Sequence, residues 1–193
     1  MFEGKRIGCS LDELLAFHCA PVLLGEKTGN LFSIRKACFE RMRNRYREIG
    51  VRLAPLGINL ELLLKRRETV LLYVYRPELL DADMRRPEAQ KLLFPLRYRR
   101  GHLIQRLRAR LAEEKFPHEI GLFLGYPPNE VVEFIKNHGE NSKYCGCWKV
   151  YGDVESAKRC FARYDQCRAL LCDCVERGQE IEEVIRSVLR RDA

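Results

Sequence analysis

The sequence has no long run of apolar residues. Its apolar stretches are only a few residues long, whereas a membrane-spanning helix needs roughly 20. Residues 1–6 are not followed by the apolar core and small-residue cleavage site of a signal peptide. Internal repeats and low-complexity tracts are also absent from the sequence. These absences exclude a membrane-spanning helix and a repeat architecture, and we expect a cytoplasmic protein with no membrane partner.

The common metal-binding motifs are also missing. The sequence has nine cysteines, but no two are separated by the two-residue gap that is common in structural zinc sites. Cys160, Cys167 and Cys174 fall on the apolar stripe of a predicted helix, where cysteine behaves as a small apolar residue. His118 does not begin a zinc-protease motif, because residue 122 is Leu122 rather than histidine. We therefore predict no metal site, and the sequence identifies no cofactor.

The charge of the chain is positive and unevenly placed. The formal net charge is +8, and arginines concentrate in residues 41–52 and 97–115. Such clusters attract phosphate-rich partners. They are equally typical of solvated, arginine-rich helix faces, which we favour. A nucleic-acid-binding or other anion-binding role for the 97–115 surface stays as an alternative.

The apolar pattern predicts an α+β fold, rich in helix, around a small and mostly antiparallel sheet. Residues 68–75 are β-branched, aromatic and almost continuously apolar, which is typical of a central strand covered on both faces. Residues 21–24 and 30–34 flank a loop that contains glycine, so they predict a hairpin. Residues 60–64 predict a helical turn.

Capping residues and prolines mark several helix boundaries. Ser10 opens a capping box, and the helix that follows is expected to end near His18, because Pro21 disfavours helical geometry at the residue before it. The chain is predicted to form one domain over residues 1–193, with a helical C-terminal part over 153–193. Proline is favoured at the first position of a helix, which predicts further helix starts at Pro77, Pro87 and Pro128.

Cys19 is the first candidate for chemistry. It is predicted to lie where a helix gives way to an extended segment, with Lys27 on the loop beyond. A cation or an imidazole near a thiol favours the nucleophilic thiolate, and Cys–His pairs activate sulfur for acyl transfer. His18 is a poor base, because adjacent residues of an extended chain point to opposite faces, so His118 is the expected base. The alternative is a structural cysteine, which the usual burial of free cysteine favours.

His118 and Glu119 are the second candidate. A carboxylate beside an imidazole can orient it for acid–base catalysis, and the alternative is a polar start of a helix or strand. Residues 25–30 form a glycine-bounded loop that contains a lysine and a threonine, which can hold a phosphate through backbone amides. The spacing is not that of a P-loop, so a simple hairpin loop is favoured. A redox-active role for the pair Cys145 and Cys147 also stays open.

Four stretches of the sequence form distinct motifs. They are HCAP (18–21) with Gly25, Lys27 and the NLF of 30–32, then YVYR (73–76), FPHEIGLFLGYP (116–127) and WKVYGD (148–153). Together they resemble the motifs of an uncharacterised bacterial family, a domain of unknown function common in anaerobic Firmicutes. The match follows the order of the chain and covers nearly all of it. The resemblance implies a stand-alone cytoplasmic domain and brings no activity with it.

These motifs hold polar residues at the ends of predicted elements, where sites are commonly built. We therefore predict a small-molecule or cofactor-binding domain for an anionic small molecule, and whether it is an enzyme stays open. A protein-interaction scaffold formed by the C-terminal helices is a further alternative, with no partner identified. The predicted catalytic residues are Cys19, His118 and Glu119, and the predicted ligand-binding residues are Lys27, Asn30, Arg76, Tyr126, Lys149 and Tyr151.

Overall fold

The computed structural model describes residues 10–113 and 116–191. Within these ranges, a small sheet is surrounded by helices, which confirms the predicted α+β class. The helices are α1 (Leu11–Leu23), α2 (Lys36–Leu53), α3 (Pro77–Met84), α4 (Pro87–Leu93), α5 (Leu103–Leu111), α6 (Ile120–Phe123), α7 (Pro128–Lys136), α8 (Val154–Glu176) and α9 (Ile181–Arg191), with a 3₁₀ turn at Ala54–Leu56. The strands are β1 (Gly29–Arg35), β2 (Asn59–Lys65), β3 (Thr69–Tyr75), β4 (Tyr144–Cys145) and β5 (Lys149–Val150).

The main sheet has three antiparallel strands in the order β1-β3-β2. The predicted central strand is confirmed as β3. Its Val70, Leu72 and Val74 belong to one apolar core, which α1, α2, α8 and α9 complete. Tyr73 and Tyr75 belong to a second core, which α3 to α7 complete. The sheet is therefore covered on both faces, as its near-continuous apolarity indicates.

Two local predictions are wrong. Residues 21–24 do not pair with 30–34 in a hairpin, because 21–23 are the last residues of α1 and β1 pairs with β3 instead. Residues 60–64 are not a helical turn but part of β2, which pairs with β3 through a register shift between Leu62 and Leu64. A short apolar run fits either structure by its periodicity, and here the partner strand decides.

Helix α1 continues through Pro21, so the predicted end near His18 is also wrong. Proline lacks the N–H that normally bonds to the carbonyl four residues earlier, which here belongs to Phe17. Arg168 of α8 replaces that donor, since its Nε donates to the Phe17 carbonyl at 3.0 Å. The Arg168 guanidinium also lies 5.4 Å from the centre of the Phe17 ring. A distant side chain thus replaces the hydrogen bond that the proline takes from this helix.

The other predicted helix starts are confirmed. The Ser10 side chain accepts a hydrogen bond from the Glu13 backbone N–H at 3.2 Å, as a capping serine does. Pro77, Pro87 and Pro128 are each the first residue of a helix.

An ion-pair network joins the first and last helices through α2. The Arg45 guanidinium donates two hydrogen bonds to the Asp12 carboxylate, from Nε to Oδ2 at 2.9 Å and from Nη2 to Oδ1 at 2.5 Å. The same Nη2 lies 3.3 Å from Glu182, whose side chain is almost fully buried. This bidentate geometry is the strong form of an arginine–carboxylate contact.

A second, two-stranded sheet follows α7. In it β4 pairs antiparallel with β5, and Cys145 lies opposite Lys149. Gly146 in the connecting turn packs so tightly that a Cβ there would lie 2.2 Å from the Phe161 ring of α8. This hairpin therefore sits directly on α8. Among the described residues, no helix combines the length and apolarity needed to cross a membrane.

Candidate functional site

Lys27 is a buried lysine where distant parts of the chain meet. Only 7% of its surface is exposed. Its Nζ donates to Asn30 Oδ1 at 2.7 Å. It also lies 5.4 Å from the centre of the Tyr126 ring and 5.6 Å from that of Tyr164. Within the described part of the chain it has no carboxylate partner, so one amide oxygen and two aromatic faces hold the ammonium.

Close packing fixes the loop that carries Lys27. Asn30 donates from Nδ2 to the His18 carbonyl at 2.6 Å, which ties the start of β1 to α1. A Cβ at Gly29 would lie 2.5 Å from the Phe123 carbonyl oxygen, so only glycine allows the strand to approach α6 this closely. The loop of residues 25–30, for which the sequence favours a simple hairpin loop over a phosphate cradle, is therefore a packed connection between α1 and β1.

Burial lowers the pKa of Lys27 to about 8. The nearby thiols of Cys147, Cys19 and Cys160 act in the opposite direction, because negative charge on a neighbour would favour the ammonium. Desolvation is the larger effect. Part of the Lys27 population is thus a neutral amine near physiological pH, whereas an exposed lysine is almost entirely charged.

Cys19 belongs to the same cluster but is sealed inside α1. Its side chain has no exposed surface, and it does not lie at a helix boundary as predicted. Burial raises the pKa of its thiol well above the usual range, although the Lys27 charge and a hydrogen bond with Asn30 oppose this. The structure therefore places Cys19 near Lys27 as a protonated, inaccessible thiol.

A cavity of about 350 Å³ lies beside the Lys27 cluster. Four aromatic side chains form much of its wall, and the His118 and Phe134 rings lie 5.3 Å apart on it. The aromatic residues are Phe116, Tyr126, Phe134 and Trp148, and the polar residues are His118, Glu130, Cys145 and Lys149.

Tyr126 connects the cavity to Lys27. One face of its ring receives the ammonium, and its ring centre lies 5.2 Å from that of Trp148 on the cavity wall. Its hydroxyl donates to the Cys147 carbonyl at 2.9 Å, and burial raises the pKa of that hydroxyl to about 12. Tyr126 is the predicted site residue that belongs to both features.

Glu119 is engaged away from His118. Its carboxylate is buried, accepts from the Tyr98 hydroxyl at 3.1 Å and from Arg110 Nε at 2.8 Å. Burial, then the Glu119 charge, raises the pKa of Tyr98. The hydrogen bond to Glu119 raises the pKa of Arg110. These contacts join α5 to the start of α6. Among the described residues, Glu119 makes no hydrogen bond to His118, which it was predicted to orient.

Arg76 is engaged with backbone carbonyls. Its Nε and Nη2 donate to Val22 and Leu23, each at 2.7 Å, and its Nη1 donates to Leu56 at 3.3 Å. Val22 and Leu23 end α1, where helix carbonyls lack intrahelical donors and a cation is favourable. The position of Arg76 is thus explained by capping of α1, and burial lowers its pKa.

The remaining predicted ligand-binding residues lie around the β4–β5 hairpin. Lys149 lines the cavity and donates from Nζ to the Gly139 carbonyl. The Tyr151 backbone N–H donates to Glu130 Oε2 at 2.6 Å, which leaves this carboxylate bound to the backbone. The Tyr151 hydroxyl is buried without a hydrogen-bond partner in the described part of the chain.

Several arginines of the 97–113 stretch are paired with carboxylates. Three of them contact carboxylates, and Arg106 donates to the Leu96 carbonyl at 2.8 Å. This is the pattern of the arginine-rich helix face that the sequence favours. The ion pairs are Arg100 with Asp81, Arg108 with Glu61, and Arg110 with Glu113 and Glu119.

Sequence reasoning did not single out Trp148, Phe134 or Tyr164 as site residues. Phe134 lies on α7 and Tyr164 on α8, and the approach of distant segments brings them to the cavity and to Lys27. Trp148 carried the one available signal, since it is the only tryptophan of the sequence and lies in the fourth motif. Across residues 10–113 and 116–191, no group of three or more His, Cys, Asp or Glu is placed to hold a metal ion.

Comparisons with known proteins identify the family of the chain. No curated protein and no solved structure matches the chain. One family model, described as a protein of unknown function (DUF3793), matches residues 15–185. That range includes the Lys27 cluster and the aromatic cavity, and it spans most of the sequence. The chain therefore belongs to the DUF3793 family.

Proposed function

We propose that this protein is a cytoplasmic, single-domain small-molecule-binding protein whose ligand occupies the aromatic cavity. The observation that carries the proposal is the cavity itself, about 350 Å³ in volume and lined by His118, Tyr126 and Lys149 of the predicted site set. That volume is within the range of ligand pockets, which are mostly apolar with a few polar groups.

The cavity walls favour a flat, largely apolar ligand. Phe134 and Trp148 offer ring faces for stacking. The Trp148 indole N–H is buried and has no hydrogen-bond partner in the described part of the chain, which is a costly state for a polar group. Lys149 is the cation on the wall for a ligand with one negative charge. A planar aromatic compound with an acceptor group fits these features.

The state of the thiols supports a reducing compartment. Cys19 and Cys167 are buried free thiols. Free thiols of this kind persist in the cytoplasm, whereas secreted proteins usually pair them.

Trp148 makes the proposal directly testable. As the only tryptophan, it reports the cavity by energy transfer to bound anilinonaphthalene sulfonate, an anionic aromatic probe. We expect saturable binding of one probe per chain and its displacement by quinoline, a neutral planar heteroaromatic. If quinoline displaces the probe, ring stacking dominates the affinity. If the anionic probe binds but quinoline does not displace it, the affinity comes from the charge of the sulfonate.

Matched variants locate the binding. Leu124→Phe fills the cavity, because Leu124 lies on its wall, and is expected to abolish energy transfer from Trp148. Leu92→Phe makes the same change on α4, away from the cavity, and is expected to bind normally. Equal probe binding by both variants, or none by the unmodified protein, contradicts the proposal.

A further inference from the structure

The cavity brings one thiol and one imidazole to the same wall. Cys145 is the only exposed cysteine of the described residues, and it lines the cavity together with His118. His118 is exposed as well. Neither side chain makes a hydrogen bond within the described part of the chain. Both groups are therefore free to meet a bound molecule.

We propose that Cys145 is a nucleophile and His118 its base, and that the pair transfers the acyl group of an aromatic ester bound in the cavity. This inference rests on the proposed ligand site. It moves the predicted Cys–His chemistry from Cys19 to Cys145, because the Cys19 sulfur is sealed in α1 whereas Cys145 faces the cavity that holds His118.

The two groups stand on well-fixed backbone. Cys145 is held by β-pairing opposite Lys149, and the next residue donates its N–H to the Trp148 carbonyl at 3.0 Å. The His118 ring packs between aromatic neighbours, 5.3 Å from Phe134 and 6.4 Å from Phe116. Both side chains line the same cavity, so one bound molecule can meet both, and holding reacting groups around one molecule is what accelerates its reaction.

The chemistry balances without a metal or a redox partner. The Cys145 thiol gives its proton to His118, and the sulfur forms a bond to the ester carbonyl carbon. The carbon–oxygen bond to the leaving group then breaks, and the leaving alcohol takes the proton from His118. Water, with its proton again accepted by His118, releases the acyl group as a carboxylic acid and restores the thiol.

The test uses p-nitrophenyl benzoate, whose benzoyl ring suits aromatic walls and whose leaving group is coloured. With ester in excess, we expect a rapid release of one equivalent of p-nitrophenolate per chain, and peptide mass spectrometry is expected to place the benzoyl group on Cys145. Cys145→Ser is expected to abolish the release, while Cys38→Ser, which removes a thiol of α2 outside the cavity, leaves it unchanged.

His118→Gln tests the base. We expect it to slow acylation on the order of a hundredfold, the usual effect of losing a general base, while thermal unfolding stays unchanged because the ring is exposed. An unchanged acylation rate in His118→Gln, or a benzoyl group on Lys27 or Cys38, overturns the assignment. If probes bind at Trp148 but no burst occurs, this inference alone is wrong. If neither is seen, the ligand site is wrong too.

Discussion

The buried ammonium of Lys27 predicts an unusual dependence of stability on pH. Its pKa is about 8 in the folded protein and about 10.4 in an unfolded chain. Each pKa unit corresponds to about 1.4 kcal/mol, so keeping this lysine charged inside the protein costs about 3 kcal/mol at neutral pH. The side chain is almost fully buried, so solvent screening reduces this figure little.

The sign follows from proton binding. Between about pH 8 and about pH 10.4 the unfolded chain holds the Lys27 proton and the folded chain has lost it, so raising the pH favours the folded state. Below about pH 8 both states are protonated and the full cost is present. From about pH 7 to about pH 10, Lys27 should therefore stabilise the protein progressively, by about 2.5 kcal/mol in total.

Lys27→Met isolates this effect, because all other titrating groups stay in place. The variant loses the cost of the charge but leaves Asn30 Oδ1 without its donor, which costs about 1 to 3 kcal/mol, so its stability at about pH 7 should be near that of the parent. By about pH 10 the parent should have gained about 2 to 3 kcal/mol relative to the variant. Urea unfolding under reducing conditions, followed by circular dichroism, measures both.

An exposed lysine provides the control. Lys91→Met on α4 should track the parent protein at every pH, since Lys91 is exposed. The reasoning is refuted if the stability difference between the parent and Lys27→Met stays constant within about 0.5 kcal/mol over the pH range, because a buried lysine must produce the slope.

Two further predictions concern packing. Arg45→Ala should lower the free energy of unfolding by about 1 to 3 kcal/mol, since it removes a partly buried bidentate ion pair, whereas Arg43→Ala, which loses only an exposed pair, should change it by less than about 0.5 kcal/mol. Gly146→Ala should cost about 1 to 3 kcal/mol through its clash with the Phe161 ring, whereas Gly50→Ala, with open space in α2, should stabilise the protein by about 0.5 to 1 kcal/mol.

Urea unfolding of the four variants provides the measurement. Equal effects of the two arginine substitutions would show that the network around Arg45 adds nothing to stability. A tolerated alanine at position 146 would show that the β4–β5 hairpin moves away from α8 without cost.

Local sequence signals predicted most helices and the central strand, because each has a marker that acts within a few residues. Ser10 and the prolines that open α3, α4 and α7 are such markers. The failures share one cause. Within α1, Arg168 supplies the donor that Pro21 lacks, and β2 is a strand because β3 pairs with it. Neither partner is visible in the local pattern.

The site was predictable to a similar degree. The motifs indicated Cys19, Lys27, Asn30 and Tyr126 as candidate site residues. The structure places these four residues in one cluster. Periodicity does not tell whether a polar side chain of a motif binds a ligand or caps a helix, and Arg76 does the second. Tyr164 is buried on α8, and its contact with Lys27 depends on how α8 lies against the loop after α1.

The bond between Arg168 and the Phe17 carbonyl joins residues 151 positions apart. During synthesis α1 leaves the ribosome long before α8 is translated. Until then, α1 and the loop that carries Lys27 lack their contacts with Arg168 and Tyr164 of α8. Nascent chains that stop before α8 are thus expected to display apolar surface to chaperones and proteases. Synthesis of the last fifth of the polypeptide, from α8 onward, is therefore needed before the whole molecule reaches its native state.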